Sequence, residues 1–293
     1  MYRLLLYLIY SGQLFFVAAG LFLAAVSMDL SGVLATRPLI RRGAALLTLL
    51  SIPLAALSGT PLAIVWTIPL LVATLGYAFL GFGPPRRFCR PLGVVAIALT
   101  LTAVCIELPY HVRRPQVERP VRVFVVGDSL ASGGFGESLP WPGVLGRELG
   151  LPLKNLALPS DTAPMALEDQ IPLLPPPGVR ECVIIEIGAN DMLDGLPAAS
   201  FASALDAILA KAGGSGRRRL MMLELPLPPG QWRFGAIQRK LSAKYDCILV
   251  PKRLFAGVLL GEGNTLDGAH LSQRGHDALA RTLAEWLGWR RNS

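Results

Sequence analysis

No charged residue occurs between Arg3 and Asp29. At 1.5 Å rise per residue such a stretch crosses a hydrocarbon core of about 30 Å, so it predicts one spanning helix. A second charge-free stretch, residues 43–85, is too long for a single crossing and carries turn chemistry at Ser58-Gly59-Thr60-Pro61. It predicts a tight hairpin of two helices, over residues 43–58 and 61–82. A further apolar run, residues 92–106, ends at Glu107 and Pro109 and predicts a fourth crossing near the short limit for a span. Residues 1–109 are therefore expected to form a transmembrane region of about four helices, followed by a Pro/Arg-rich connector at 110–120 and a separate domain at 121–293.

Buried core helices of a large soluble protein are the alternative, but too little charge remains in the first third of the chain to surround them with a soluble surface. A cleaved signal peptide would explain only the first run, which exceeds the usual apolar segment of about 7 to 15 residues. Retention as an anchor is expected.

The formal net charge of +8 has the same origin. Arginines flanking the helices account for most of it, so it does not predict a nucleic-acid surface. Arg217-Arg218-Arg219, beside Gly213, Gly214 and Gly216, reads as a solvated loop before a strand. With the N-terminus outside, the cytoplasmic loops hold Arg37, Arg41, Arg42, Arg86, Arg87 and Arg90; the reverse topology places Arg3, Arg113, Arg114, Arg119 and Arg122 inside. Six against five favours an integral inner- or plasma-membrane protein whose C-terminal domain is extracytoplasmic. The four cysteines, at 89, 105, 182 and 247, form no disulfide framework.

Beyond residue 120, short apolar segments at 121–126, 153–158, 182–187, 220–225 and 247–250 alternate with helical patterns near 143–149, 200–212, 234–244 and 272–287. Such runs, bounded by Gly, Pro or charge, suit parallel strands buried on both faces. The order predicts an α/β class, a three-layer α/β/α domain with a parallel sheet of about five strands, preceded by the all-α region. Function in such sheets gathers beyond the carboxyl ends of the strands, where Gly127-Asp128-Ser129 and Gly188-Ala189-Asn190-Asp191 fall.

A serine hydroxyl becomes a competent nucleophile when a neighbouring base takes its proton. For Ser129 the best candidate base among three histidines is His270. Asp267 precedes it by three residues, a spacing that on a turn lets a carboxylate reach the other ring nitrogen and fix its tautomer. The oxyanion formed by attack on an ester needs donors placed in advance, which the Asn190 amide and the Ser129 N–H offer. Taken singly, these motifs also serve as a turn, a helix cap and a surface hydrogen bond. His111 reads as a juxtamembrane surface residue, His276 as part of the last helix, and Trp141 as packing beside the first helix of the domain. No cofactor is expected, and no metal, since Cys182 and Cys247 lack His or Cys at ligand spacing.

Together the motifs resemble the SGNH (GDSL-type) hydrolase family over roughly residues 121–288. Gly127-Asp128-Ser129-Leu130 matches its first block, Gly188-Ala189-Asn190-Asp191 its third and Asp267-Gly268-Ala269-His270-Leu271 its fifth. The resemblance implies Ser129 as nucleophile, Asp267 and His270 as the rest of a triad, and Asn190 as an oxyanion donor. In the second block the usual Asn-x-x-x-Ser-Gly-Asp-Thr is replaced by Asn155-Leu156-Ala157-Leu158-Pro159-Ser160-Asp161-Thr162. Ser160 therefore stands where a glycine donates its N–H to the oxyanion; a left-handed conformation there costs a non-glycine residue on the order of 1 kcal/mol.

The segments Ile185-Glu186-Ile187-Gly188-Ala189-Asn190-Asp191 and Lys244-Tyr245-Asp246 are most similar to the lysophospholipase/thioesterase/arylesterase branch. The expected activity is hydrolysis of an ester or thioester, of a lipid or an acylated envelope glycan, through an acyl-serine. The same residues would serve an O-acyltransferase, and a non-catalytic acyl-binding or scaffold protein is the reading from another class. Protein partners are not specified by the sequence.

Overall fold

A computed structural model describes residues 2–31, 38–62, 64–81, 89–115, 117–214 and 216–289. Arg37, Arg86 and Arg87, on which the topology argument draws, lie outside the described residues, as do the side chains of Arg41 and Cys89. The chain divides into two compact units, Met1–Val112 with Leu227–Trp232, and Arg113–Pro226 with Arg233–Ser293.

The first unit holds α1 (Tyr2–Tyr10), α2 (Leu14–Leu30), α3 (Pro38–Leu57), α4 (Ile64–Gly81), α5 (Cys89–Glu107) and α6 (Pro109–Val112). The single helix expected between Arg3 and Asp29 is instead two helices, bent by 90°. The break falls at Ser11-Gly12-Gln13, where Gly12 has φ 79°. Carbonyls freed by such a break need donors. Gly59 N–H donates to Ile9 O at 2.9 Å and Leu227 N–H to Tyr10 O at 3.3 Å. The Ser58 and Thr60 hydroxyls both reach Gly12 O, at 3.2 and 3.0 Å, while Ser58 Oγ accepts Phe15 N–H at 3.1 Å. The expected hairpin turn thus doubles as the cap of the α1–α2 break.

Small residues, among them Ala25, Ala44, Ala73, Ala96 and Ala103, are buried where these helices meet. Tyr77 OH donates to Asp29 Oδ2 at 2.9 Å. Outward, Leu46, Leu49, Val65, Val72, Phe79 and Val95 remain exposed. Among the described residues one helix, Arg90–Val112, is by itself long and apolar enough to cross a membrane; α1 and α2 pass that test only together, and Arg42–Leu57 and Val65–Phe79 are shorter. His111 is not a surface residue: it is buried, with Nε2 3.1 Å from Glu107 Oε1 and its ring edge-on to Phe16.

The second unit is built on β1 (Arg122–Gly127), β2 (Leu153–Asn155), β3 (Glu181–Glu186), β4 (Arg219–Leu223) and β5 (Ile248–Val250). All pairs are parallel, in the order β2-β1-β3-β4-β5. The strand expected over 153–158 is shorter as a ladder, yet Leu156 and Leu158 still donate to Val125 O and Gly127 O, carrying the extended chain to the end of β1. Its helices are α7 (Ser129–Ser132), α8 (Trp141–Leu149), α9 (Ala163–Asp169), α10 (Ala189–Leu193), α11 (Ala198–Gly213), α12 (Trp232–Lys244), α13 (Lys252–Leu259) and α14 (Gln273–Leu287), with α12 beginning where the chain leaves the first unit.

β3 is buried throughout, and β1 and β4 are buried beyond their first residue, as strands covered on both faces should be. Trp141 lies fully buried in the core with Val125, Leu145, Ile184 and Leu283, and its backbone N–H donates to His276 Nδ1 at 3.0 Å. Arg218 departs from the solvated loop expected of its run: it is buried, 2.8 Å from Glu181 Oε2 and above the Phe124 ring. Cys105, Cys182 and Cys247 are free thiols.

Because the Gly59 Cα lies against the Leu227 and Ile9 carbonyl oxygens, an added Cβ would overlap both. Gly59→Ala is expected to destabilise the helical unit by about 1–3 kcal/mol, read as a lower unfolding temperature of detergent-solubilised protein. An unchanged transition would show that the capped break does not hold the helices.

Candidate active site

From β1 the chain turns to β2 on one side, and β3 then pairs on the other, so the strand order reverses between β1 and β3. In open parallel sheets the crevice at such a switch point is where ligands bind. The final pair of that ladder is Gly127 opposite Glu186. A Cβ on Gly127 would lie 2.8 Å from Glu186 O and 2.9 Å from Ala131 Cβ, so glycine permits the approach. Asp128 then takes an extended conformation and accepts Leu130 N–H at 3.0 Å, capping α7, whose first residue is Ser129.

The segment after β2 meets the start of α10 through two hydrogen bonds. Asn190 Nδ2 donates to Asp161 O at 2.9 Å, and Asp191 Oδ2 accepts Ala163 N–H at 2.8 Å. Just before them in the chain, Ser160 sits at φ 65°, the left-handed conformation that the replaced glycine would adopt freely. A residue that motif reasoning did not single out ties this segment to β1: buried Gln170 accepts Gly127 N–H at 3.0 Å and donates to Gly127 O at 2.8 Å and Asp161 Oδ2 at 2.7 Å.

Asp267 and His270 lie on the loop before α14. Their side chains pair through Oδ2 and Nδ1 at 2.7 Å, and Asp267 Oδ1 accepts the N–H groups of Ala269 and His270 at 2.9 and 2.8 Å. The histidine hydrogen bond, with these two backbone donors, holds the Asp267 carboxyl well below its usual range. Phe135, which carries no motif signal, stacks on the His270 ring at 3.8 Å between centroids. It rides on a loop with positive φ at Gly133, Gly134 and Gly136, held by Glu137, which accepts the Gly134 and Phe135 N–H groups.

Behind Ser129 lies a pair of acids. Asp128 and Glu186 are each 1 % exposed, and the Glu186 carboxyl faces the backbone N–H and the side chain of Asp128. Two neighbouring buried carboxyls repel when both are ionised, which favours a protonated form for the pair. Burial pushes Asp128 up to about 6, partly opposed by the Leu130 N–H. Burial, then the Asp128 charge, raises Glu186 well above the ordinary carboxylate range.

Folding therefore favours the protonated forms. For Asp128 this contribution is fully present below about pH 4, is lost as pH rises through about 6, and is on the order of 3 kcal/mol. Glu186→Gln removes the acid that burial and the Asp128 charge hold protonated, so it should raise stability at neutral pH, while the decline through about pH 6 set by burial of Asp128 remains; thermal unfolding across that range measures it. Coincident curves for the two proteins would refute a repelling pair. Ser160→Gly should stabilise the second unit by about 1 kcal/mol by relieving the left-handed strain, visible as a higher unfolding temperature.

Residues 125–278 match the model of the GDSL-like lipase/acylhydrolase family. Among solved structures, TesA is 26% identical, with a TM-score of 0.50 over 57% of this chain and 97% of its own. The psychrotrophic esterase EstA from Pseudoalteromonas sp., solved as a form inhibited by monoethylphosphonate, aligns with the same TM-score and the same coverage of both chains. At 18% identity its likeness is one of fold. No curated protein matches the chain.

Proposed function

Because the chain belongs to the GDSL-like lipase/acylhydrolase family and is a serine hydrolase, we propose that it is a membrane-anchored esterase acting on an acyl ester or thioester through an acyl-Ser129 intermediate. The paired Asp267 and His270 carry this reading. With Nδ1–H donated to the Asp267 carboxylate at 2.7 Å, Nε2 is left as the basic nitrogen. The hydrogen positions follow from this pairing.

In the proposed reaction Ser129 Oγ attacks the substrate carbonyl carbon as His270 Nε2 takes its proton. The carbonyl oxygen becomes an oxyanion, and collapse expels the alcohol or thiol, which receives the proton from His270. Water then attacks the acyl-Ser129 carbonyl, giving its proton to His270. The carboxylic acid leaves, and the proton returns to Ser129 Oγ.

Three donors suit the oxyanion. As the first residue of α7, Ser129 has no intrahelical acceptor for its N–H. The Ser160 N–H donates to no other backbone group among the described residues. The Asn190 amide carries two hydrogens, and its bond to Asp161 O uses one.

The anchor would be residues 1–109, with a connector at 110–120 and the hydrolase domain at 121–293. Arg90–Val112 and the exposed apolar residues of α3, α4 and α5 support that assignment. An extracytoplasmic hydrolase domain follows from the arginine distribution, and a lipid or acylated envelope glycan is the substrate class this placement suits.

Fluorophosphonate labelling of membranes should be lost in Ser129→Ala, with ester hydrolysis falling about 10⁴-fold or more. Asn190→Ala should lower kcat about 10²- to 10³-fold. Persistent labelling of the Ser129→Ala protein would exclude Ser129 as the nucleophile.

A further inference from the structure

Within the helical unit, α2, α3, α4 and α5 line a cavity of about 200 Å³. Along α2 it extends between Phe15 and Phe22, about 10 Å at 1.5 Å per residue. Apolar side chains make up most of the wall, but five hydroxyls also contribute: Ser51, Thr60, Thr67, Thr74 and Thr100.

Every one of these hydroxyls already donates to a backbone carbonyl. Ser51 reaches Thr48 O at 2.7 Å and Thr60 reaches Gly12 O at 3.0 Å. Thr67 reaches Leu62 O at 3.3 Å, Thr74 reaches Leu70 O at 2.7 Å and Thr100 reaches Ala96 O at 2.8 Å. A polar guest would find no uncommitted hydroxyl proton there. A buried water needs two to four polar partners, whereas apolar cavities of this size take apolar guests.

We infer that this cavity binds the alkyl chain of a single-chain acyl compound, so that the helical region handles acyl groups as well as anchoring the domain. The nature of the guest rests on the esterase reading, since an acyl ester is what such an enzyme cleaves. A space of about 200 Å³ and about 10 Å in length, open at Ala56 and Leu71, matches one chain of medium length. Cavity and lining lie wholly within Met1–Val112. Ala55, half-buried on α3, lines it from a position where a larger side chain would fill the space.

The test is photolabelling of the full chain in nanodiscs with decanoic acid carrying a mid-chain diazirine, followed by peptide mapping. Label is expected on residues 15–22 and 51–56, falling at least tenfold with excess decanoate and in Ala55→Phe. Thr102→Val, outside the lining and with its hydroxyl on Ala98 O, should leave it unchanged. Ser129→Ala should also retain it, so loss of fluorophosphonate labelling and loss of acyl binding report on separate claims. Label spread over outward Leu49, Val72 and Val95 without competition would overturn the inference, as would equal labelling of the cavity by a two-chain phosphatidylcholine bearing the same diazirine. Should Ala55→Phe fail to accumulate, competition by decanoate in the unsubstituted protein decides the matter.

Discussion

The close parallel pairing of β1 with β3 is the contact on which the rest of the hydrolase unit depends. It brings Gly127 opposite Glu186 at the end of the ladder, and the missing Cβ at Gly127 is what allows the two backbones and the start of α7 to meet. Ser129 follows one strand and Asn190 the other, so a single register places the proposed nucleophile and an oxyanion donor on the same edge of the sheet. Gln170 holds the same point from the other side, satisfying both polar groups of Gly127 while anchoring Asp161.

That edge carries local costs which the surrounding fold must offset. Asp128 and Glu186 are desolvated together behind Ser129, and Ser160 occupies a left-handed conformation. Departures of this kind, held in place by surrounding hydrogen bonds, concentrate at functional sites because donors and charges must be set before substrate arrives. In the proposed reaction the Ser160 N–H and the Asn190 amide need little reorganisation, since Asp161 already orients the amide.

The helical unit depends on a different contact, a helix break shared by three distant parts of the chain. Residues 9–12 supply carbonyls, Ser58-Gly59-Thr60 supplies donors, and Leu227 adds one more. Leu227–Trp232 follows β4 in sequence yet belongs to the helical unit, so the two units are joined by the chain at three places rather than by one linker. An apolar environment makes unsatisfied carbonyls costly, which is why a break among such apolar helices requires this much capping.

The sequence by itself determined the strand order along the chain, the α/β class, the apolar helical region and the placement of Ser129 and Asn190 beyond strand ends. These follow from local patterns: buried runs of strand length, charge-free stretches and turn residues. The pairing of Asp267 with His270 was legible for the same reason, being a three-residue contact. Only the tertiary structure divided the first apolar run into α1 and α2, buried His111 and Arg218, set Phe135 on His270 and joined Gln170 to Gly127 across 43 positions. No periodicity marks such contacts. They arise where topology brings separate segments together and buried polar groups must find partners.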